Sequence, residues 1–172
     1  ALAASGAIAQ SADGLFRPGA YITRAEFITI LLKSFDIIPE SGFLFSLRDV
    51  TRNNWYYPYM MTAVKLGIVI PDENRNAGPL RPVTRADMAV FMNRLLVSGN
   101  RALGPVSVSY LDRFTDGYLV SEDLKGIISS LASDGILPPQ GGSTLELDRP
   151  ATRAEAAVVL HKFSTRYRLA GR

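Results

Sequence analysis

The chain contains one four-residue motif three times: a threonine, an arginine, an alanine and an acidic residue, at 23–26, 84–87 and 152–155. Each copy begins seventeen residues after a glycine, which is Gly6, Gly67 or Gly135. The threonines are 61 and 68 residues apart. Because these spacings exceed those of most solenoid repeats, the pattern predicts three copies in one compact body with a pseudo-threefold arrangement.

The composition is typical of a folded protein, since 47% of the 172 residues are hydrophobic and 20% are charged. No apolar run approaches the roughly 18 residues that span a bilayer, and the first ten residues lack the basic start of a signal peptide. We therefore expect no direct membrane insertion. The first copy has no counterpart of residues 48–58, so we expect an N-terminally incomplete first unit within a longer protein.

Each motif has the form of a helix start. The threonine hydroxyl can accept a hydrogen bond from a free backbone N–H, and the acid three residues later can reach back to the threonine N–H. This assigns capping roles to three pairs: Thr23 with Glu26, Thr84 with Asp87, and Thr152 with Glu155.

A second helix is predicted before each glycine, because apolar residues recur there with the helical period. It covers 54–66 in the middle copy and 122–133, behind a Ser121 cap, in the last copy. The glycine that follows suits the left-handed position at a helix C-terminus. The predicted fold class is therefore all-α, built from three helix-loop-helix repeats.

Signals of catalytic chemistry are weak. The absence of cysteine excludes disulfides, thiolate metal sites and thiol nucleophiles. The chain has no glycine-rich phosphate loop, no His-Glu-x-x-His arrangement and no Gly-x-Ser-x-Gly elbow, and its one histidine, His161, lies in an apolar helix. We expect no enzyme activity, no metal site and no cofactor. The net charge of +3 favours an anionic partner, but the basic residues form no stripe that would indicate nucleic acid.

The repeated arginine requires a reason, because a cation at the first position of a helix lies at the positive end of the helix dipole. One interpretation is structural: Arg24, Arg85 and Arg153 bridge to acids of a neighbouring copy, for instance Asp49, Asp112 or Asp116. The other is a multivalent anion receptor, in which each guanidinium acts with free N–H groups of the helix start on a carboxylate or phosphate.

An aromatic cluster at 55–59 is the second candidate ingredient of a site. Flat rings with polar edges stack on sugar faces as well as fill a core. On helical spacing Trp55 and Tyr59 face one side and Tyr56 another, so at least one of the rings is expected to be core.

The middle copy resembles one unit of the S-layer homology (SLH) domain. The resemblance rests on these residues: Asp49-Val50, Trp55, Ala63, Gly67-Ile68, Arg81-Pro82 and the motif at 84–87. Residues 16–27 look like the second half of another unit, and 131–155 look like a third. The units are placed at 1–40, 41–104 and 105–172.

This resemblance implies a three-pronged spindle that anchors a bacterial surface protein to the cell wall without catalysis. The implied partner is a secondary cell-wall polysaccharide or a peptidoglycan-linked glycan, often with a pyruvylated sugar, held in grooves between units at the extracellular surface. The implied contacts are Arg24, Arg85 and Arg153 for the acid group, with Trp55 and the backbone near Gly67 and Gly135 beside the sugar.

Three departures from the family pattern keep an alternative open. The family's second glycine is replaced by Gln10, Pro71 and Pro139. In the last unit Asp123 stands where the middle unit has Trp55, and the upstream acid is Asp112 or Asp116. The first unit lacks its opening helix. The alternative is a structural assembly module that contacts other surface-layer subunits and binds no glycan. Internally paired arginines and the absence of an open cleft at the helix starts would favour it.

Overall fold

The computed structural model describes residues 16–168, and the predicted all-α fold class is confirmed. Within that range no strand forms, and residues pair only through isolated bridges. The five α-helices are α1 (Arg24–Ser34), α2 (Tyr57–Lys65), α3 (Arg85–Ser98), α4 (Glu122–Ser133) and α5 (Arg153–Tyr167). Two short 3-10 helices, Val108–Arg113 and Gly117–Leu119, precede α4. No helix of the described range has the length and apolar character needed to cross a membrane.

All three predicted capping boxes are confirmed. The hydroxyl of each threonine accepts from the N–H of the acid three residues later, and that acid accepts from the threonine N–H in return. The return bonds are 2.8 Å at Thr23, 3.2 Å at Thr84 and 2.8 Å at Thr152. These caps satisfy donors that a helix start otherwise leaves unpaired, and they fix where α1, α3 and α5 begin.

The predicted start of α2 is wrong by three residues. The helix begins at Tyr57, with Pro58 in its first turn, whereas Trp55 and Tyr56 lie in the preceding turn. Proline is tolerated only in the first turn of a helix, and this fixes the start just before Pro58. The predicted bounds of α4 are confirmed, although the Ser121 side chain makes no capping bond.

Helices of neighbouring units pack against one another. Helix α1 packs on α2 and also on α5 and α3, whereas α3 packs on α4. One continuous hydrophobic core lies between them, and its largest fully buried apolar side chains include Phe27, Phe163, Met60 and Met92. The repeats are therefore parts of one body. The unit boundaries at 40/41 and 104/105 stay a prediction.

A ring of three backbone hydrogen bonds joins the residues that precede the three threonines. The N–H of Ile22 donates to the carbonyl of Ala151 (3.1 Å), that of Ala151 to Val83 (2.8 Å), and that of Val83 to Ile22 (2.9 Å). All three residues are buried. The helix starts thus follow one another in cyclic order, while the three-pronged spindle shape stays a prediction.

The loops before the motifs share one register. The residue six positions before each threonine has a left-handed backbone, with φ of 46° at Arg17, 63° at Gly78 and 47° at Glu146. Pro18 therefore corresponds to Pro79 and not to Pro82. The Arg-Pro steps at 17–18 and 81–82 therefore do not occupy equivalent positions in the two repeats.

Candidate functional site

The N–H groups at the three helix starts are not free, contrary to what the anion-receptor interpretation requires. The N–H of Arg24 donates to the carbonyl of Arg81 (2.9 Å), that of Arg85 to Arg149 (3.2 Å), and that of Arg153 to Ala20 (2.9 Å). The next N–H of each helix also donates to a carbonyl of the same neighbouring loop. The loop of one unit therefore covers the positive end of another unit's helix.

Two of the three motif arginines bridge between repeats. Nη1 of Arg24 lies 2.7 Å from Oδ1 of Asp87, and Nη1 of Arg153 lies 2.7 Å from Oε1 of Glu26. The partners are the capping acids of neighbouring units, and the predicted partners at 49, 112 and 116 are wrong. These guanidiniums stabilise the contact between repeats, and each charge is largely balanced before any ligand arrives.

Arg85 is completely buried. Its Nε donates to the carbonyl of Leu145 (2.7 Å) and its Nη2 to that of Pro138 (2.6 Å). Burial lowers the pKa of this guanidinium, while Glu155 acts in the opposite direction. No surface of Arg85 is left for a glycan, and its bonds tie α3 to the loop of the third unit.

The capping acid of the third unit pairs with a different arginine. Glu155 binds Arg149 through both carboxylate oxygens. Burial raises the pKa of Glu155, but hydrogen bonds from Arg149 and Thr152 outweigh burial and hold the pKa below its usual range.

Asp49 and Asp116 have the same structural role in two units. The carboxylate of Asp49 accepts from the N–H groups of Ala77 and Gly78 at 2.9 and 2.7 Å. The carboxylate of Asp116 accepts from the two corresponding N–H groups of the last loop, both at 2.8 Å. The upstream acid of the third unit is therefore Asp116 and not Asp112.

One groove brings two of the predicted contacts together. It encloses about 270 Å³ between α1 and the start of α2, and it is called the Trp55 groove below. Its lining includes Glu26, Thr29, Lys33, Trp55, Tyr59 and Arg153. Trp55 is 55% exposed and its ring meets that of buried Tyr56 edge-on, with the ring centroids 5.4 Å apart. The expectation of a core ring in this cluster is confirmed by Tyr56.

Lys33 is the groove residue that sequence reasoning missed. It is exposed, its Nζ lies 5.6 Å from the centroid of the Tyr59 ring, and it forms no ion pair within residues 16–168. The sequence signal that could have identified Lys33 is its spacing from Glu26, because residues seven positions apart lie on the same face of a helix. Lys33 supplies the positive charge that Arg153, paired with Glu26, does not.

A second groove lies beside Arg24 and is called the Arg81 groove below. It encloses about 740 Å³ along the loop of the middle unit. Its lining includes Arg24, Asp49, Ile70, Asp72, Leu80 and Arg81. An open cleft is therefore present next to one helix start.

The remaining predicted contacts line neither groove. Gly67 and Gly135 end α2 and α4 with φ of 70° and 65°, which confirms their predicted place in the fold. A Cβ at either position would meet no atom within 4 Å, so backbone conformation and not close packing requires glycine. Asp123 is exposed in the first turn of α4, where the middle unit has Trp55. Within the described range no three acidic or histidine side chains come together as metal ligands.

Comparison with protein families identifies the repeats. The model of the S-layer homology domain matches residues 1–28 and 46–89. Residues 1–28 and 46–89 are therefore identified as S-layer homology (SLH) repeats. The third repeat lies outside the matched residues, but it has the same capping box, loop register and acid contacts as the second.

Curated relatives carry the same region. The chain is 29% identical over 153 residues to exoglucanase XynX of Acetivibrio thermocellus, covering 87% of this chain and 13% of the relative. It is 27% identical over 161 residues to the surface-layer 125 kDa protein of Lysinibacillus sphaericus, covering 92% and 13%. It is 27% identical over 153 residues to an amylopullulanase of Thermoanaerobacterium thermosulfurigenes, covering 87% and 8%.

The chain spans about an eighth or less of the length of these relatives. The enzymes among them therefore match it over a small part only. SLH domains are anchoring modules of bacterial surface proteins that bind cell-wall polymers, and this places the chain at the bacterial cell surface.

Proposed function

We propose that this chain is a non-catalytic module that anchors a larger bacterial surface protein by binding an acidic secondary cell-wall polysaccharide. The family resemblance implies that the acid group is the carboxylate of a pyruvylated sugar. The Trp55 groove is the principal site in this proposal.

The observation that carries the proposal is the pairing of an exposed aromatic face with an unbalanced positive charge. Trp55 presents about half its surface to solvent, and Lys33 lines the same groove without an ion-pair partner in the described range. An indole stacks on the apolar face of a sugar, and an ammonium attracts a carboxylate. The two groups therefore suit an acidic sugar.

Arg153 has a positioning role in this site. Its side chain is only 7% exposed and its Nη1 binds Glu26, so it holds the third unit against α1. Its exposed edge completes the groove wall, and the ligand's acid group faces Lys33 more than Arg153. Arg24, Arg85, Gly67 and Gly135 are assigned to the scaffold.

Binding to isolated wall sacculi of the source bacterium tests the proposal. We expect the purified chain to sediment with sacculi and to lose binding once the acid-labile polysaccharide is stripped. Trp55→Ala and Lys33→Gln should each weaken binding about tenfold, consistent with the loss of one stacked ring or one charged contact. Tyr118→Ala is the matched control, because Tyr118 is 81% exposed and lines neither groove. Equal binding to stripped sacculi by folded protein would rule out the polysaccharide as the ligand.

A second candidate function is favoured by the internal pairing of the motif arginines. Arg24 and Arg153 form ion pairs with Asp87 and Glu26, and these pairs join the repeats. Such internal pairing also suits a rigid assembly module. That module would contact other surface-layer subunits and would bind no cell-wall glycan. Concentration-dependent self-association by a chain that does not bind sacculi would favour it.

A further inference from the structure

The Arg81 groove differs in chemistry from the Trp55 groove. Ile70 and Leu80 stand on its walls with 63% and 67% of their surfaces exposed. Among residues 16–168, no aromatic side chain lines it. A groove with aliphatic walls and no stacking ring is poorly suited to a sugar and better suited to aliphatic side chains.

Arg81 is an exposed arginine whose charge is not balanced locally. Its backbone is engaged, but its guanidinium forms no hydrogen bond or ion pair within residues 16–168. Its neighbour Arg24 is already bound to Asp87. The charge of Arg81 is therefore available in the groove.

The third repeat shows to which group such an arginine donates. Arg149 occupies the corresponding position, three residues before the motif threonine, and its Nε donates to Oε2 of Glu146 at 2.8 Å. Glu146 corresponds to Gly78, and both have a left-handed backbone. The middle repeat therefore has the arginine without the carboxylate that occupies its counterpart in the third repeat.

The acids of the Arg81 groove do not supply that carboxylate. Both oxygens of Asp49 accept from the backbone N–H groups of Ala77 and Gly78. Asp72 accepts from the N–H groups of Asn74 and Asn76, and the bond from Asn76 is the main reason why the pKa of Asp72 lies below its usual range. Both carboxylates are thus oriented by the loop's own backbone.

We propose that the Arg81 groove binds an acidic peptide segment of a partner protein, with a carboxylate on Arg81 and aliphatic side chains against Ile70 and Leu80. The segment around Glu146 supplies a probe of this chemistry, since its glutamate binds the arginine that corresponds to Arg81 and is flanked by Leu145 and Leu147. The groove thus gives the module a protein contact in addition to the wall contact at the Trp55 groove. Neither site shares a residue with the other.

A peptide titration tests this assignment. The probe is a blocked peptide of the sequence STLELD, which copies residues 143–148, added to ¹⁵N- and ¹³C-methyl-labelled chain. We expect saturable NMR shifts at Ile70, Leu80 and the Nε–H of Arg81. A control peptide with glutamine in place of the glutamate should bind at least about tenfold more weakly, because a charged hydrogen bond is lost.

Two variants of the chain isolate the role of Arg81. Arg81→Gln should weaken peptide binding at least about tenfold, whereas the control Arg52→Gln should not, because Arg52 is exposed and outside both grooves. Gly78→Glu should abolish binding by placing the carboxylate of the third repeat beside Arg81. The added Cβ would meet the flexible Cδ of Arg81 at 3.0 Å, and Glu146 already adopts this backbone conformation, so the variant should fold.

The possible outcomes separate the proposal from its rivals. Loss of peptide binding in Arg81→Gln with sacculus binding retained supports the second site and leaves the proposed anchoring function intact. Absence of peptide shifts in the folded chain, or binding that persists in Arg81→Gln, overturns the assignment. Shifts at Ile70 and Leu80 caused by wall polysaccharide and not by peptide would also overturn it and assign the groove to the glycan.

Discussion

The three motif arginines differ in how their surroundings balance the positive charge. Arg24 and Arg153 bind the capping acids of neighbouring units, whereas Arg85 is enclosed and binds two carbonyls. The acid that corresponds to the partners of the first two, Glu155, is bound instead by Arg149. Each of the three arginines therefore stabilises a contact between repeats, and this structural role is sufficient to explain why the arginine is repeated.

Arg85→Met should lower the free energy of unfolding by about 3 kcal/mol. The substitution keeps the aliphatic length but leaves the carbonyls of Leu145 and Pro138 buried without their donors. Urea denaturation measures the change. Arg52→Met, at an exposed position, should stay within about 0.5 kcal/mol of the wild type. An Arg85→Met chain as stable as the wild type would contradict the assigned structural role.

The pair of Arg149 and Glu155 should make stability dependent on acid. Because the pKa of Glu155 is lowered in the folded state, its contribution is fully present above the unfolded value and is lost as the pH falls through the folded pKa. We expect the melting temperature to fall as the pH drops below about 4.5, the ordinary value for a glutamic acid. Arg149→Gln should reduce the steepness of this loss, and an unchanged pH profile in the variant would contradict the account.

At the scale of elements, the sequence predicts what is determined locally. The capping boxes and the helix-ending glycines were predictable because each depends on a few consecutive residues. The start of α2 was missed because an aromatic run with helical spacing outweighed the constraint from Pro58. Lys33 and the partners of the motif arginines were not predictable, because their contacts form between repeats that lie far apart in the chain.

Gly67→Ala and Gly135→Ala should each lower the free energy of unfolding by about 1 kcal/mol, since alanine is strained at positive φ. Neither change should weaken binding to sacculi, because both glycines lie outside the grooves. Thermal denaturation and a sacculus pull-down on the same preparations give the two readouts. A binding defect in a stable Gly67→Ala chain would instead restore the backbone near Gly67 as a sugar contact.

At the scale of the whole molecule, the ring formed by Ile22, Val83 and Ala151 joins the three repeats at one buried point. Loops of each unit also cover the helix start of another, in a cycle that includes all three. Such a structure differs from a solenoid, in which each repeat contacts only its sequence neighbours. The units therefore depend on one another for stability.

Unfolding should accordingly be a single cooperative transition. Trp55, the only tryptophan, reports on the middle unit, and far-UV circular dichroism reports on all helices. We expect the two urea transitions to coincide. A tryptophan transition with a clearly different midpoint from that of the helices would indicate that one repeat unfolds alone. That result would contradict the mutual dependence of the three units.

The anchoring site also belongs to this scale, since α1, the start of α2 and Arg153 of the third unit all line the Trp55 groove. The measurement that tests it most directly is a fluorescence titration of Trp55 with solubilised wall polysaccharide from the source bacterium. We predict a saturable change in the emission of Trp55, weakened about tenfold by Lys33→Gln and lost when the carboxyl groups of the glycan are reduced. Polysaccharide binding that leaves the emission of Trp55 unchanged, or that is equally strong for the carboxyl-reduced glycan, would contradict the account.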